Sequence, residues 1–155
     1  MMLTFIRFLL LLLLGFTFGG FLFYASVVVP LGTSILGSTT QGFVTRSVTN
    51  VINVASLVSA LAIAAYAWTT SNRFRTEDSI RIPLVSACII GTTAIILMWL
   101  HGHLEQAMAD DEFAVMDGES FYRTHRVYLW VSTIQWLSSL PVLWWFARPV
   151  RIDAS

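Results

Sequence analysis

Residues 5–29 read FIRFLLLLLLGFTFGGFLFYASVVV, and this stretch decides the fold. Arg7 is its only charged residue, and Pro30 follows it. A membrane helix needs about 20 mostly apolar residues to cross about 30 Å of hydrocarbon. The run meets that requirement, with Pro30 placed to stop the helix. Its start also resembles a secretory signal peptide, a cation followed by leucines. A cleavable apolar core is only about 7–15 residues long, whereas this run continues through Phe21 to Val29. A retained span is therefore expected.

Working outward, three more segments have the same character: Val48 to Trp68, Pro83 to Leu100 and Val127 to Phe146. Asp78 or Ser79 can cap the third, with Pro83 near its first turn. Helices are expected over residues 5–29, 46–70, 81–102 and 122–147. Composition agrees. Of 155 residues, 56% are hydrophobic and 12% charged, against roughly 25% charged in a soluble domain. The chain is solvated largely by lipid, and its length fits one domain, residues 1–155. The expected fold is all-α: an integral membrane four-helix bundle with a long extracytoplasmic loop between the third and fourth helices. Formal net charge is zero, so nothing points to nucleic acid.

Arginine placement sets the orientation. The N-terminus, second loop and C-terminus hold Arg7, Arg73, Arg75, Arg81, Arg148 and Arg151; the first and third loops hold Arg46, Arg123 and Arg126. The larger set is expected to face the cytoplasm, giving an N-in, C-in multi-pass protein of the inner (plasma) membrane. The acidic residues Glu105, Asp110, Asp111, Glu112, Asp117 and Glu119 all fall on the opposite side.

Small residues mark close helix approach. Gly15 and Gly19 form a GxxxG, extended by Gly20; the second helix carries Ala55, Ser59, Ala60, Ala64 and Ala67, and the third Gly91 and Ala94. Packing within the bundle is the plain reading, and a dimer seam through Gly15 and Gly19 the alternative. Pro141 removes a backbone hydrogen bond and is expected to kink the fourth helix near Leu137, with Ser138 and Ser139 satisfying the freed carbonyls. Trp144 and Trp145 read as an interfacial belt, and Trp136 as a packing element. Cys88, the single cysteine, lies in an apolar run and reads as a buried small hydrophobe.

Polar residues gather at one end. Arg46, Asn50, Asn53 and Ser56 follow steps of four, three and three on the second helix. His125, Tyr128, Ser132, Gln135 and Ser139 share a face of the fourth. Polar side chains in a span face protein or water, so two aligned stripes describe either a polar pocket open to the outside or cross-helix hydrogen bonds between Asn53 and Gln135. In the pocket reading His125 is the acid or base, Arg46 holds an anionic or carbonyl oxygen, and Gln135 completes the catalytic set. Asn50, Asn53, Tyr128, Ser132, Arg123 and Arg126 are the ligand-binding candidates. His101 and His103 lie two apart, so a turning helix end is needed to bring both onto one ion, with Glu105 and His125 completing a divalent metal site. Haem between His101 and His125 is the less favoured cofactor.

The third loop holds Met108, Phe113, Val115, Met116 and Phe121, a pattern expected to form a short amphipathic helix acting as a lid. Arg123 and Arg126, with Tyr122 and Tyr128, stand at the headgroup level, where membrane lipid phosphate is one partner and an anionic or quinone-like ligand another. The polar stretch Thr39 to Asn50 is expected to be the first loop, turning at Gly42, with Thr45 or Ser47 capping the second helix.

The runs Phe18-Gly19-Gly20-Phe21, Val27-Val28-Val29-Pro30, Gln41-Gly42-Phe43-Val44-Thr45 and Val48-Thr49-Asn50, with Phe121-Tyr122, His125-Arg126 and Gln135-Trp136, resemble uncharacterised four-span bacterial membrane proteins. In layout the chain is more distantly similar to the anthrone-oxygenase-like membrane family. That likeness implies a four-helix fold; no catalytic motif of the family matches here residue by residue. Three roles follow as expectations: binding or modifying a lipid-soluble small molecule, serving as an accessory subunit of a larger membrane complex, or forming an oligomeric transporter or channel.

Overall fold

The computed structural model describes residues 2–70, 78–106, 108–109, 114–115 and 118–148. Four long helices dominate: α1 (Met2–Leu36), α2 (Ser38–Thr70), α3 (Asp78–Gln106) and α4 (Gly118–Ala147). Between α3 and α4, β1 (Met108–Ala109) pairs antiparallel with β2 (Ala114–Val115). The amphipathic lid helix expected in this loop is therefore replaced, at these residues, by a short strand pairing. The rest of the acidic loop, and Arg73, Arg75 and Arg151, lie outside the described residues.

α1, α2 and α3 are each long and apolar enough to cross a membrane, which marks the chain as a membrane protein. α2 packs along α3, α3 along α4, and α1 lies against both α2 and α4. All four feed one core: Leu10, Leu14 and Phe18 from α1; Ala60, Ile63 and Tyr66 from α2; Ala87 and Ile90 from α3; Val142, Trp145 and Phe146 from α4. A second cluster of Leu97, Leu100, Leu104 and Tyr128, with Phe121 and Val131 against it, closes the α3–α4 pair at the other end. The outward surface is correspondingly apolar, as a lipid-solvated protein requires.

Pro30 does not end the first helix. A proline lacks one N–H and crowds the preceding turn. Here the preceding turn, Tyr24–Val28, is π-helical, which widens the helix where the ring must fit. A second π turn spans Gly15–Gly19. The break comes at Gly37, whose φ of 82° is a left-handed conformation suited to glycine. Its N–H bonds to the Thr33 carbonyl at 3.1 Å, and its own carbonyl accepts from the Gln41 N–H at 3.1 Å. The first loop is thus one residue, and the expected Gly42 turn and Thr45 or Ser47 cap are overturned: all three lie inside α2. The cap expected at Asp78 or Ser79 involves side chains outside the described residues.

The hairpin of α1 and α2 is locked by side chains. The Gln41 carboxamide donates to the Tyr24 hydroxyl and to Thr45 Oγ1, both at 3.3 Å, and the Tyr24 hydroxyl donates to Thr45 Oγ1 at 3.2 Å. Gly32 faces this cluster, and a Cβ there would overlap the Gln41 carboxamide. Glycine is needed for that approach.

Other packing expectations divide. Gly91 brings α3 close to α2, where an added Cβ would lie 3.5 Å from that of Ala60. Gly15, Gly19 and Gly20 pack against nothing among the described residues: they are exposed and a Cβ would meet nothing within 4 Å. α1 instead docks through Leu10, Leu14, Thr17 and Phe18, the residues that turn inward. Cys88 is exposed, not buried. Ser138 and Ser139 donate to the carbonyls of Ile134 and Trp136, at 2.7 and 2.6 Å, instead of the Leu137 carbonyl freed by Pro141. Trp136 packs against the core as expected. Trp144 is exposed, whereas Trp145 is buried and belongs to the core, not to an interfacial belt.

Candidate functional site

The polar stripes of α2 and α4 meet inside the protein and form a ladder of cross-helix bonds. Asn53 Nδ2 donates to the Tyr128 hydroxyl at 2.9 Å. One turn further along, the single hydrogen of Ser56 Oγ is shared between the Ile52 carbonyl at 2.9 Å and Gln135 Oε1 at 3.4 Å, and Gln135 Nε2 donates to the Ile90 carbonyl of α3 at 3.4 Å. A turn beyond, the hydroxyls of Thr17 and Ser59 lie 3.4 Å apart, bringing in α1. Asn53, Ser56, Ser59, Ser132, Gln135 and Ser139 are all buried. Among the described residues no buried side-chain nitrogen or oxygen is left without a partner. Lipid supplies no hydrogen bonds, so interior polar groups must find one another.

Asn53 and Gln135 do not bond to each other; they belong to successive rungs. Asn50 is exposed. The step from Arg46 to Asn50 rotates about 40° round the helix, enough to carry Asn50 off the buried stripe, which runs instead through Asn53, Ser56 and Ser59. Arg46 is half-buried with its guanidinium 5.2 Å from the Phe43 ring centre.

The histidines stay apart in role. α3 continues through Gln106, so no turn gathers His101 and His103. His101 is buried with Nε2 3.7 Å from Glu105 Oε1, one helical turn on. His103 is exposed, its Nδ1 3.1 Å from the Trp99 carbonyl and its ring 4.3 Å from the Trp99 ring. His125 is half-buried and stacks on Phe121, ring centres 5.8 Å apart and 5° from parallel. Burial holds its pKa below the usual imidazole range, favouring the neutral ring. Among the described residues no three His, Cys, Asp or Glu side chains are grouped to hold a metal. Arg123 and Arg126 are exposed on the outward face of α4.

One residue of consequence enters the sequence reading only as a topology signal. Arg7 is 7% exposed. Its Nη2 donates to the carbonyls of Trp145 at 3.1 Å, Phe146 at 2.8 Å and Arg148 at 2.8 Å. The guanidinium also lies 5.1 Å from the Trp145 ring centre and 5.8 Å from that of Phe146. The last carbonyls of any helix lack intrahelical donors and carry the negative end of its dipole. Arg7 answers both, from 138 residues away along the chain. A lone cation in an apolar run is the one signal for this, and it names no partner.

Compared with known proteins, the chain matches no known family, no curated relative and no solved structure.

Proposed function

We propose that the chain is a four-span protein of the inner (plasma) membrane, with both termini cytoplasmic, that serves as a structural or accessory subunit of a larger membrane complex. For the fourth span, α4 exposes Val127, Leu129, Trp130, Ile134, Leu137 and Leu140 along its length and has no charged residue from Val127 to Phe146. The arginine distribution supports the orientation.

The observation that carries the role is the state of the interior. The two deepest amide candidates there are already engaged: Gln135 by Ser56 and Ile90, Asn53 by Tyr128. Cross-helix bonds of this kind hold a membrane bundle together, at about 0.6–2 kcal/mol each. The small-residue face of α1, by contrast, meets nothing among the described residues, and glycine faces suit close contact with another transmembrane helix. The competing reading is an outward pocket in which His125, Arg46 and Gln135 bind or modify a lipid-soluble molecule. It requires Asn53 and Gln135 to give up these partners.

The test is Gly15→Leu/Gly19→Leu. A Cβ at either position meets nothing within 4 Å, so the fold is expected to survive. Native electrophoresis of gently solubilised membranes is expected to show the wild type in a large complex and the variant released from it, with an unchanged unfolding midpoint. A wild type that migrates as a lone 17.3 kDa chain, or a variant that stays in the complex, overturns the proposal. A complex containing only copies of this chain replaces it with a homo-oligomer.

A further inference from the structure

Arg123, Arg126, Trp130, Ile134 and Leu137 fall at steps of three, four, four and three along α4. At 100° per residue they occupy a sector of about 80° on one side of the helix. All five are exposed, Trp130 at 67% and Ile134 and Leu137 at about half. Neither guanidinium has a hydrogen-bond, ion-pair or ring partner among the described residues. Two unspent cations thus stand in the first turns of α4, one turn from an exposed indole, above an apolar strip leading towards the middle of the span.

We infer that this face of α4 binds an anionic phospholipid, its phosphate held between Arg123 and Arg126 and an acyl chain laid over Trp130, Ile134 and Leu137. Planar guanidinium groups offer paired donors that fit phosphate oxygens. Trp130 lies about 6 Å along the axis from Arg126, at the depth where indole rings favour the polar–apolar boundary. Leu137 lies about 16 Å along the axis from Arg126, within reach of a chain that begins at the headgroup. Charge selects the partner: a zwitterionic headgroup sets its own cation beside the two arginines, whereas an anionic one does not. Glu119, exposed one turn before Arg123, is the nearest described carboxylate on α4 and limits the site to the side facing Trp130. The inference rests on α4 crossing the bilayer as proposed above, and is independent of which side its N-terminal end faces and of any partner on α1.

Native mass spectrometry of the purified protein with added phosphatidylglycerol or phosphatidylcholine tests it. The wild type is expected to retain phosphatidylglycerol preferentially. Arg123→Gln/Arg126→Gln is expected to weaken that retention about 30-fold, each single variant to lose about half of that on a logarithmic scale, and Arg148→Gln, at the other end of α4, to lose nothing. Equal retention of both lipids, full retention by the double variant, or displacement by glycerol phosphate at matching concentration overturns the inference. If the double variant aggregates, the two single variants decide. Leu137→Cys in a Cys88→Ala background tests the span separately: labelling by an aqueous maleimide in intact membranes means that α4 does not cross, whatever the lipid result.

Discussion

Arg7→Met removes the guanidinium and keeps most of the aliphatic bulk. Arg7 Nη2 carries two hydrogens but faces three carbonyls at 3.1, 2.8 and 2.8 Å, so the arrangement amounts to two charge-assisted bonds shared among three acceptors. At about 1.5–3 kcal/mol each, these give about 3–6 kcal/mol. Two effects reduce the loss. Burying a guanidinium is itself costly, and methionine removes that cost; and Arg148 is exposed, so water reaches the last of the three carbonyls. A net destabilisation of about 2–4 kcal/mol remains, or about 30- to 700-fold in the folding equilibrium. The assay is a denaturant titration in mixed micelles, followed by tryptophan fluorescence, since Trp145 packs beneath the cation. Arg148→Gln is the control: its guanidinium lies 5.1 Å from the exposed Trp144 ring, an arrangement worth about 0.5–1 kcal/mol. If Arg7→Met unfolds within 0.5 kcal/mol of wild type, or no more easily than the control, Arg7 does not cap α4.

Two further outcomes are expected. A double-mutant cycle of Asn53→Leu and Tyr128→Phe, read by the same titration, is expected to give a coupling of about 0.6–1.7 kcal/mol; zero coupling would mean that the 2.9 Å bond contributes no net stability. Gly32→Ala is expected to be about 1–2 kcal/mol less stable than Gly19→Ala, because both gain the same helix propensity but only the first displaces the buried Gln41 carboxamide from its bonds to Tyr24 and Thr45, the second meeting open space.

The long helices were legible because hydrophobic length is a one-dimensional property. Their ends were less so. Pro30 carries the strongest local stop signal in the region, yet the helix passes through it, because the π turn at Tyr24–Val28 adjusts the backbone and no composition rule encodes that adjustment. Gly37 ends the helix through its φ, a property any glycine offers and few use. The polar stripes correctly placed Asn53, Ser56, Tyr128 and Gln135 inside. Which atom bonds to which was not legible, since it depends on the relative rotation of α2 and α4. Arg7 shows the limit most clearly. Its acceptors are backbone carbonyls, and every residue type carries those.

The length of α1 has a geometric consequence. At 35 residues it is about 52 Å long. From Arg7 to Leu36 the rise is about 44 Å, which a tilt of about 40° reduces to about 33 Å, close to the hydrocarbon thickness of about 30 Å. With Arg7 pinned to the end of α4, the tilt of α1 decides how much of the helix passes the hydrocarbon at its Gly37 end. In a bilayer crossed as proposed above, the uncovered apolar side chains of Leu31, Ile35 and Leu36 therefore favour a strongly tilted α1, which keeps them against acyl chains while Tyr24, Gln41 and Thr45 stiffen the hairpin.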